Sequence, residues 1–341
     1  MTSDKDPVFS PRTDRFDPFL ADVELRNAYR HLMDGDWRRL ESFLDSSPKA
    51  WLFSSIITSH LVGIEPITFA RWAELAGSPR ARTYQAAVLI RDAFADRAAH
   101  EAELAAVAEG RKVSSQQQLE ADGQRVLADY QDALNRAERE LYDVVRERPS
   151  MSDPWVFLLI SGRGLGVRLE ELRQRFDNAH SRQPFRPDAC REYLEGLMEK
   201  WGGSQDATFD FARWVEQEAP PDSPARMTLP VAHIEQGLLD GGGSNLAPYL
   251  NDEAVVTELV TALDSFLRAI PAPAPTESLL VLNAYALAVS ADSPDTAYMM
   301  TDVFERIANR PTTYPWSLYK EQIPEVFNEI QADQLRFSSR Y

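Results

Sequence analysis

Residues 152–184 read SDPWVFLLISGRGLG followed by VRLEELRQRFDNAHSRQP, and they set the expected architecture of the chain. The run WVFLLI is apolar enough for a buried strand. However, Ser152, Asp153 and Pro154 precede it as a helix start, with proline at the first helical position. We therefore predict a helix here, joined by an inter-helix turn at the glycines to a second helix.

A similar arrangement recurs in residues 186–221, which read RPDACREYLEGLMEKWGGS followed by QDATFDFARWVEQEAPP. The offset from Pro154 to Pro187 is 33 residues, and the offset from Phe176 to Phe211 is 35. These offsets bracket the period of about 34 residues that is typical of the tetratricopeptide repeat, a pair of antiparallel helices. A third, degenerate unit is predicted over residues 277–315.

Several side chains resemble the packing positions of that repeat. In the first unit they are Trp155, Leu158, Phe176, Ala179 and Pro184. The second unit fits less well, because its early aromatic residue is Tyr193 and its large residue, Trp201, falls late. The resemblance implies an all-α fold, a tetratricopeptide-like α-solenoid in which each antiparallel helix pair covers the apolar face of its neighbour.

At a finer level, the segments RGLG, EKWGGS, FDFAR and PVAHIEQG together resemble an uncharacterised bacterial family known only as a domain of unknown function. The resemblance extends from about residue 86 to residue 316 and is most specific over 162–235. It implies helical repeats and supplies no catalytic residues, because the family has no established activity.

The rest of the chain is also predicted to be helical, in three regions. Residues 1–20 are rich in acidic residues and proline and are expected to form a flexible arm. Residues 21–110 form an N-terminal helical region, and residues 111–341 form the repeat region. Two long helices, over about 83–108 and 119–144, are expected to fold back as an antiparallel hairpin with its tip at residues 109–118.

Composition limits the classes of partner. The chain has 341 residues, and 53 acidic against 36 basic residues give a formal charge of −17. This balance opposes binding to nucleic acid or to an anionic membrane and favours basic partners. The longest apolar run, residues 279–291, is too short to cross a bilayer. A single cysteine excludes an internal disulfide framework, and we expect no secretory signal, so a cytoplasmic protein is predicted.

Motifs for chemistry are weak or missing in the sequence. The glycines of SGRGLG lack the third glycine that a dinucleotide-binding fingerprint needs, because position 167 is valine. The histidines show no metal-binding spacing, and His233 with Glu235 is expected to lie at an inter-helix interface. Cys190, with His180 ten residues away, is expected to be a small buried side chain. We therefore predict no catalytic residue, no cofactor and no metal.

The segment WGGS, residues 201–204, is predicted to be a sharp corner and not a phosphate cradle. Gly202 suits a helix end with positive φ, and Ser204 suits the N-cap of the next helix. Aromatic residues flank the corner and have two interpretations, core packing or the wall of a groove. The candidate partner-binding residues are Lys200, Trp201, Phe209, Arg213 and Trp214.

Three functions remain open from the sequence. The first is a non-enzymatic helical-repeat protein, an adaptor or scaffold that binds another protein or a peptide. The second is a sensor whose helices enclose a small molecule or a signalling peptide. The third is an enzyme whose active site is assembled from distant helices. Converging ionisable residues in an enclosed pocket would favour the enzyme, and an apolar pocket would favour the sensor.

Overall fold

The computed structural model describes residues 16–59, 62–110, 116–241, 246–289, 294–318 and 323–338. Within these ranges all regular secondary structure is helical and no strand is present, so the prediction of an all-α protein is confirmed. The chain divides into two compact units. We call residues 26–203 the central unit, and we call residues up to 25 together with 204–341 the terminal unit.

The helices follow one another with short connections. The helices before Gly203 are α1 (Val23–Asp34), α2 (Trp37–Ser46), α3 (Ala50–Ile57), α4 (Pro66–Ala76), α5 (Pro79–Ala108), α6 (Gln116–Glu147), α7 (Asp153–Leu165), α8 (Leu169–Arg182), α9 (Pro187–Leu197) and the 3-10 helix Glu199–Trp201. Those after it are α10 (Gln205–Glu218), α11 (Thr228–Asp240), α12 (Ala247–Leu250), α13 (Glu253–Ala269), α14 (Leu279–Ala288), α15 (Pro294–Ile307) and α16 (Ile323–Ser338), with 3-10 helices at Pro224–Met227, Thr276–Ser278 and Trp316–Leu318.

The predicted long hairpin is present in the central unit as α5 and α6. Arg82 near the start of α5 forms an ion pair with Glu147 at the end of α6. Farther along α5, the ring of Phe94 meets Tyr130 edge to face, with centroids 5.4 Å apart. This order of contacts shows that the two helices run antiparallel. Part of the predicted tip, residues 111–115, lies outside the described residues.

The run WVFLLI lies in α7, so the helix prediction for it is confirmed. α7 packs on α8. Of the expected packing residues, Leu158, Phe176 and Ala179 are buried, whereas Trp155 is half-buried and Pro184 is exposed. Burial of each large side chain stabilises the pair by about 1.5–3 kcal/mol relative to exposure. The helix pair of the first predicted repeat is therefore formed by its apolar positions.

The glycines of SGRGLG differ from the expected turn, because two of them lie within α7. A Cβ at Gly164 would lie 2.4 Å from the hydroxyl oxygen of Tyr130 and 2.7 Å from a methyl carbon of Leu134. The glycine therefore allows α7 to approach α6 closely. Only Gly166 forms the turn, ending α7 in the left-handed region at φ 67°.

The corner at WGGS follows the predicted geometry, with one difference. The preceding helix ends at Leu197, and residues 199–201 form a separate 3-10 turn. Gly202 closes that turn with φ 88°, as predicted. Ser204 caps α10 by accepting a hydrogen bond from the backbone N–H of Ala207 at 3.2 Å, also as predicted. The boundary between the two units falls within this corner, after Gly203.

The core of the terminal unit is built on α14, which packs against α11, α13 and α15. Its polar residue Asn283 is buried, and both the nitrogen and the oxygen of its side-chain amide form hydrogen bonds. Its amide nitrogen donates to the carbonyl oxygens of Leu279 and Arg310, and its side-chain oxygen accepts from the Trp316 indole N–H at 2.7 Å. These bonds offset the cost of burying the amide. None of the described helices has both the length and the apolar composition needed to cross a membrane.

We expect Gly203→Ala to lower the melting temperature more than Gly202→Ala. A Cβ at position 203 would lie 1.8 Å from the carbonyl oxygen of Leu197, so the backbone would have to move. A Cβ at position 202 meets nothing within 4 Å, and only its positive φ opposes it, at about 1–2 kcal/mol. Thermal unfolding followed by circular dichroism measures both variants. An unchanged melting temperature for Gly202→Ala would contradict the left-handed turn.

Candidate functional site

A cleft of about 1000 Å³ opens in the terminal unit beside α10 and α13. Asp252 fixes the start of α13 by accepting hydrogen bonds from the backbone N–H groups of Ala254 and Val255. Side chains three or four residues apart on each helix share a face and therefore face the cleft together. The cleft is lined by Arg213, Glu216, Gln217, Arg226, Leu229, Asp252, Glu253, Ala254, Thr257, Glu258, Thr261, Ala262 and Ser265.

An ion pair between Arg213 and Glu258 joins α10 to α13 at this cleft. Arg213 Nε donates to Glu258 Oε1 at 2.7 Å, and Arg213 Nη2 donates to Oε2 at 2.9 Å. This two-point geometry is the strong form of an arginine–carboxylate contact. The bond from Arg213 holds the pKa of Glu258 below its usual value, so the carboxylate is ionised at neutral pH. The Arg213 guanidinium also lies over the ring of Phe209, 5.2 Å from its centroid.

The same carboxylate extends the network to α11 and α12. His233 Nε2 lies 3.2 Å from Glu258 Oε2, and His233 Nδ1 lies 2.9 Å from the Tyr249 hydroxyl. An ionised carboxylate can only accept a hydrogen bond, so we assign the ring proton to Nε2. The Tyr249 hydroxyl then donates to Nδ1. Burial lowers the pKa of His233 to about 4, and burial raises that of Tyr249 to about 12, so both are neutral at pH 7.

Glu216 is the second titratable carboxylate that lines the cleft. Its Oε1 accepts a hydrogen bond from Nη1 of Arg226, whose guanidinium is buried and also donates to the carbonyl oxygens of Pro220 and Ala219. The other oxygen, Oε2, is buried with no hydrogen-bond partner among the described residues. Burial raises the pKa of Glu216 to about 7, against the opposing charge of Arg226.

Tyr285 of α14 is a buried neighbour of this carboxylate. Its hydroxyl has no hydrogen-bond partner within the described part of the chain, and its side chain is fully buried. Burial, and after it the charge of Glu216, raises the pKa of Tyr285 well above its usual value. The tyrosine therefore remains protonated.

The two carboxylates have pKa values shifted in opposite directions. Such a pair is one mark of acid–base chemistry, because one group can hold a proton while the other stays charged. Here both oxygens of Glu258 are already bound by Arg213, and one is also bound by His233. Glu216 is the group that can exchange a proton near neutral pH. The cleft thus combines a fixed ion pair with a carboxylate, Glu216, whose pKa is about 7.

The predicted site residues fall into two groups. In the terminal unit, Arg213 lines the cleft, while Phe209 is buried with its ring 4.8 Å from that of His233. Trp214 is half-buried and stacks on Phe211, with centroids 5.7 Å apart. Neither Phe209 nor Trp214 belongs to the lining of the cleft.

The other two predicted residues, Lys200 and Trp201, lie in the central unit on the 3-10 turn. Lys200 Nζ lies 3.0 Å from Glu195 Oε1, and the Trp201 indole N–H donates to the same oxygen at 3.2 Å. Burial alone would raise the pKa of Glu195, but the charges of Arg163 and Lys200 hold it below its usual value. The Arg163 guanidinium lies 5.1 Å from the centroid of Trp201.

The weaker motifs of the sequence can be placed only in part. Cys190 is fully buried, and burial raises the pKa of its thiol, so it remains protonated. Among the described residues no group of three or more His, Cys, Asp and Glu side chains could hold a metal ion. Residues 242–245 of the segment GGGSN lie outside the described ranges.

Sequence reasoning missed most of the cleft. It named Arg213 but not its partner Glu258, which lies 45 residues away on another helix. It expected His233 at an inter-helix interface, and the structure confirms this. No feature of the sequence pointed to Tyr249 as the partner of His233. Glu216 and Arg226 are ten residues apart, a spacing that places them together only after the chain turns at Pro220. Packing alone brings these groups into contact.

Comparison with protein-family models, with curated proteins and with solved structures finds no match to this chain. Its description as an all-helical protein therefore rests on its own structure. The resemblance to tetratricopeptide repeats and to the uncharacterised bacterial family stays a prediction.

We expect Glu216 to make the stability of the protein depend on pH. Its pKa is about 7 in the folded protein, against 4.5 for an unperturbed glutamate, so between these pH values the folded state binds more protons than the unfolded state. The free energy of unfolding should therefore fall as pH rises from 4.5 to 7. The loss should be about 1–2 kcal/mol, less than the full pKa shift implies, because the cleft opens to solvent.

Glu216→Gln isolates this effect, because glutamine does not titrate. His233 acts in the opposite sense between pH 4 and 6.5, since its pKa is lowered and the unfolded state binds the extra proton there. His233 is present in both proteins, so its contribution cancels in their difference. Urea unfolding from pH 5 to 8 should show Glu216→Gln gaining stability relative to the parent protein as pH rises. A constant difference would show that Glu216 does not titrate in this range.

Proposed function

We propose that this chain is a non-enzymatic adaptor or scaffold that binds a basic segment of a partner polypeptide in the cleft beside α10 and α13. The observation that carries the proposal is the set of ionisable residues in the lining. Four carboxylates, Glu216, Asp252, Glu253 and Glu258, face two arginines in an open cleft of about 1000 Å³. A cleft along a helix is a recurring site for a bound peptide.

Charge favours a cationic ligand. Arg213 is neutralised by Glu258, and Arg226 contacts Glu216. Asp252 and Glu253 remain exposed at the start of α13, and the whole chain has a formal charge of −17. A lysine or arginine of a partner would therefore be attracted to this end of the cleft, and the attraction would weaken as salt is added.

The rest of the lining can accept the apolar stem of such a side chain. Leu229 and Ala262 are buried, while Thr257 and Thr261 are exposed one turn apart on α13. Both threonine hydroxyls donate to backbone carbonyl oxygens one turn earlier, which satisfies them within the helix. Lysine and arginine pack their methylene groups on surfaces of this kind while their charged ends stay near carboxylates.

The proposal includes the repeat architecture. Successive helices pack in sequence in the central unit, and α14 packs on α15 in the terminal unit, as helix pairs of a tetratricopeptide-like α-solenoid would. A cytoplasmic location belongs to the same proposal. It is supported by the acidic composition and by a single cysteine whose thiol is buried and unpaired.

The enzyme hypothesis has one observation in its favour, the pKa of Glu216 near 7. Against it, the neighbouring carboxylate Glu258 is already held by Arg213 and His233. One proton-exchanging residue is not by itself a reaction site, because acid–base or nucleophilic chemistry needs further groups placed against the same substrate. Binding is therefore the better account of this cleft.

We expect the full chain to bind a fluorescein-labelled twelve-residue peptide of alternating lysine and leucine more tightly than the matched glutamate–leucine peptide. Thr261→Arg adds a positive charge inside the cleft and should weaken binding by about tenfold, equivalent to about 1.4 kcal/mol. Gln205→Arg adds the same charge at an exposed position of α10 outside the lining, and should have little effect. Fluorescence polarisation measures all three proteins.

Equal weakening by the two arginine variants would contradict the proposal, because it would show that the net charge of the chain attracts the peptide without a site. Affinity capture from a lysate then tests the adaptor role. The parent protein should retain a reproducible partner that Thr261→Arg loses and Gln205→Arg keeps.

A further inference from the structure

The central unit contains a separate cavity of about 460 Å³. It is lined by residues of α3, α5, α7 and α9 and by the two residues that follow α3, Thr58 and Ser59. Every lining residue falls between 54 and 192, so the cavity belongs to this unit alone. Its volume lies within the range of about 300–1,000 Å³ that is typical of pockets for small molecules.

Most of its wall is apolar. α5 contributes Ile90, Phe94 and Ala95, and α7 contributes Phe157 and Ile160. The small alanine on α5 leaves room between the larger side chains. A wall of this kind takes up an apolar molecular body and excludes water from it.

One end of the cavity is polar and is formed around Arg163. Its Nη1 donates to Glu192 Oε2 at 3.0 Å, and the other oxygen of Glu192 accepts from Arg191. Glu192 thus divides its oxygens between two guanidinium groups, and the charge of Arg163 also lowers the pKa of a second carboxylate, Glu195. The Nε of Arg163 is buried and has no hydrogen-bond partner among the described residues. This Nε has almost no solvent-accessible surface, so an acid in the cavity would be attracted by the charge of the guanidinium and not by Nε itself.

Arg163 is also held in a fixed position. Its guanidinium lies 5.9 Å from the ring centroid of Phe94 and 5.1 Å from that of Trp201, and its side chain is only 11% exposed. Ile160 and Arg163 are three residues apart on α7, so one helix face carries both the apolar wall and the cation. A ligand would therefore meet a guanidinium that is already ordered.

The other charged groups of the lining have partners of their own. Arg91 pairs with Asp92 at 2.7 Å and donates to the carbonyl oxygen of Ile64. Asp188 accepts two hydrogen bonds from Arg186, at 2.6 and 2.8 Å. Arg163 thus forms the polar end of the cavity, where an acid would meet its charge beside Glu192.

We infer that the central unit binds a small monocarboxylic acid, with its apolar body between Phe94 and Phe157 and its carboxylate on Arg163. The adjacent Glu192 would repel a doubly charged phosphate, which favours a ligand of one negative charge. This inference does not depend on the peptide cleft of the terminal unit. The protein would then have a second binding site, for a small molecule, in addition to the peptide cleft.

Isothermal titration calorimetry on the full chain tests the inference with two acids and their matched alcohols. Octanoate and 2-naphthoate should each bind at least about tenfold more tightly than 1-octanol and 2-naphthylmethanol, respectively. Binding by octanoate alone would identify a flexible aliphatic body, and binding by 2-naphthoate alone would identify a flat aromatic one. Either result supports the site. Failure of both acids to bind would overturn it.

Two variants separate the polar end of the cavity from its apolar wall. Arg163→Met should remove the preference for acid over alcohol, whereas Arg168→Met, an exposed arginine outside the lining, should keep it. Ala95→Leu fills part of the cavity while keeping Arg163 itself, and it should weaken every acid that binds by about tenfold or more. This variant decides the question if Arg163→Met does not fold. Unchanged acid binding by a folded Ala95→Leu protein would place the ligand elsewhere and overturn the inference.

Discussion

The ion pair between Arg213 and Glu258 is the interaction on which the organisation of the proposed site depends. Its two hydrogen bonds join α10 to α13. Glu258 is also hydrogen-bonded to His233 of α11, which is hydrogen-bonded in turn to Tyr249 of α12. Four helices are thereby tied together through one carboxylate. Breaking the pair would leave Glu258 with the neutral ring of His233 and would release the side of the cleft, so the ion pair acts on shape as well as on charge.

The two units offer ligands different surroundings. In the terminal unit the cleft is open, its arginines are neutralised and its exposed carboxylates attract cations. In the central unit the cavity is mostly apolar, and Arg163 forms its polar end beside Glu192. The first suits a peptide and the second suits a small acid. A protein with both sites could join recognition of a partner to recognition of a metabolite-sized molecule on one chain.

Local features of the fold were predictable from sequence because they depend on neighbouring residues. Pro154 marks the start of α7, the stripe of apolar residues marks α6, and Gly202 with Ser204 sets the corner before α10. Contacts between distant residues were not predictable in this way. The pairing of Arg213 with Glu258 and the close approach that Gly164 allows toward Tyr130 both depend on helix packing. The candidate Phe209 shows the same limit, since spacing alone did not reveal that it is buried beneath Arg213.

Amide hydrogen exchange tests the central claim most directly, because it locates binding without a substitution. With the lysine–leucine peptide bound to the full chain, exchange should slow in α10, Gln205–Glu218, and in α13, Glu253–Ala269. The helices of the central unit should be unaffected. Slower exchange confined to the central unit, or spread evenly over the acidic surface, would contradict a peptide site beside α10 and α13.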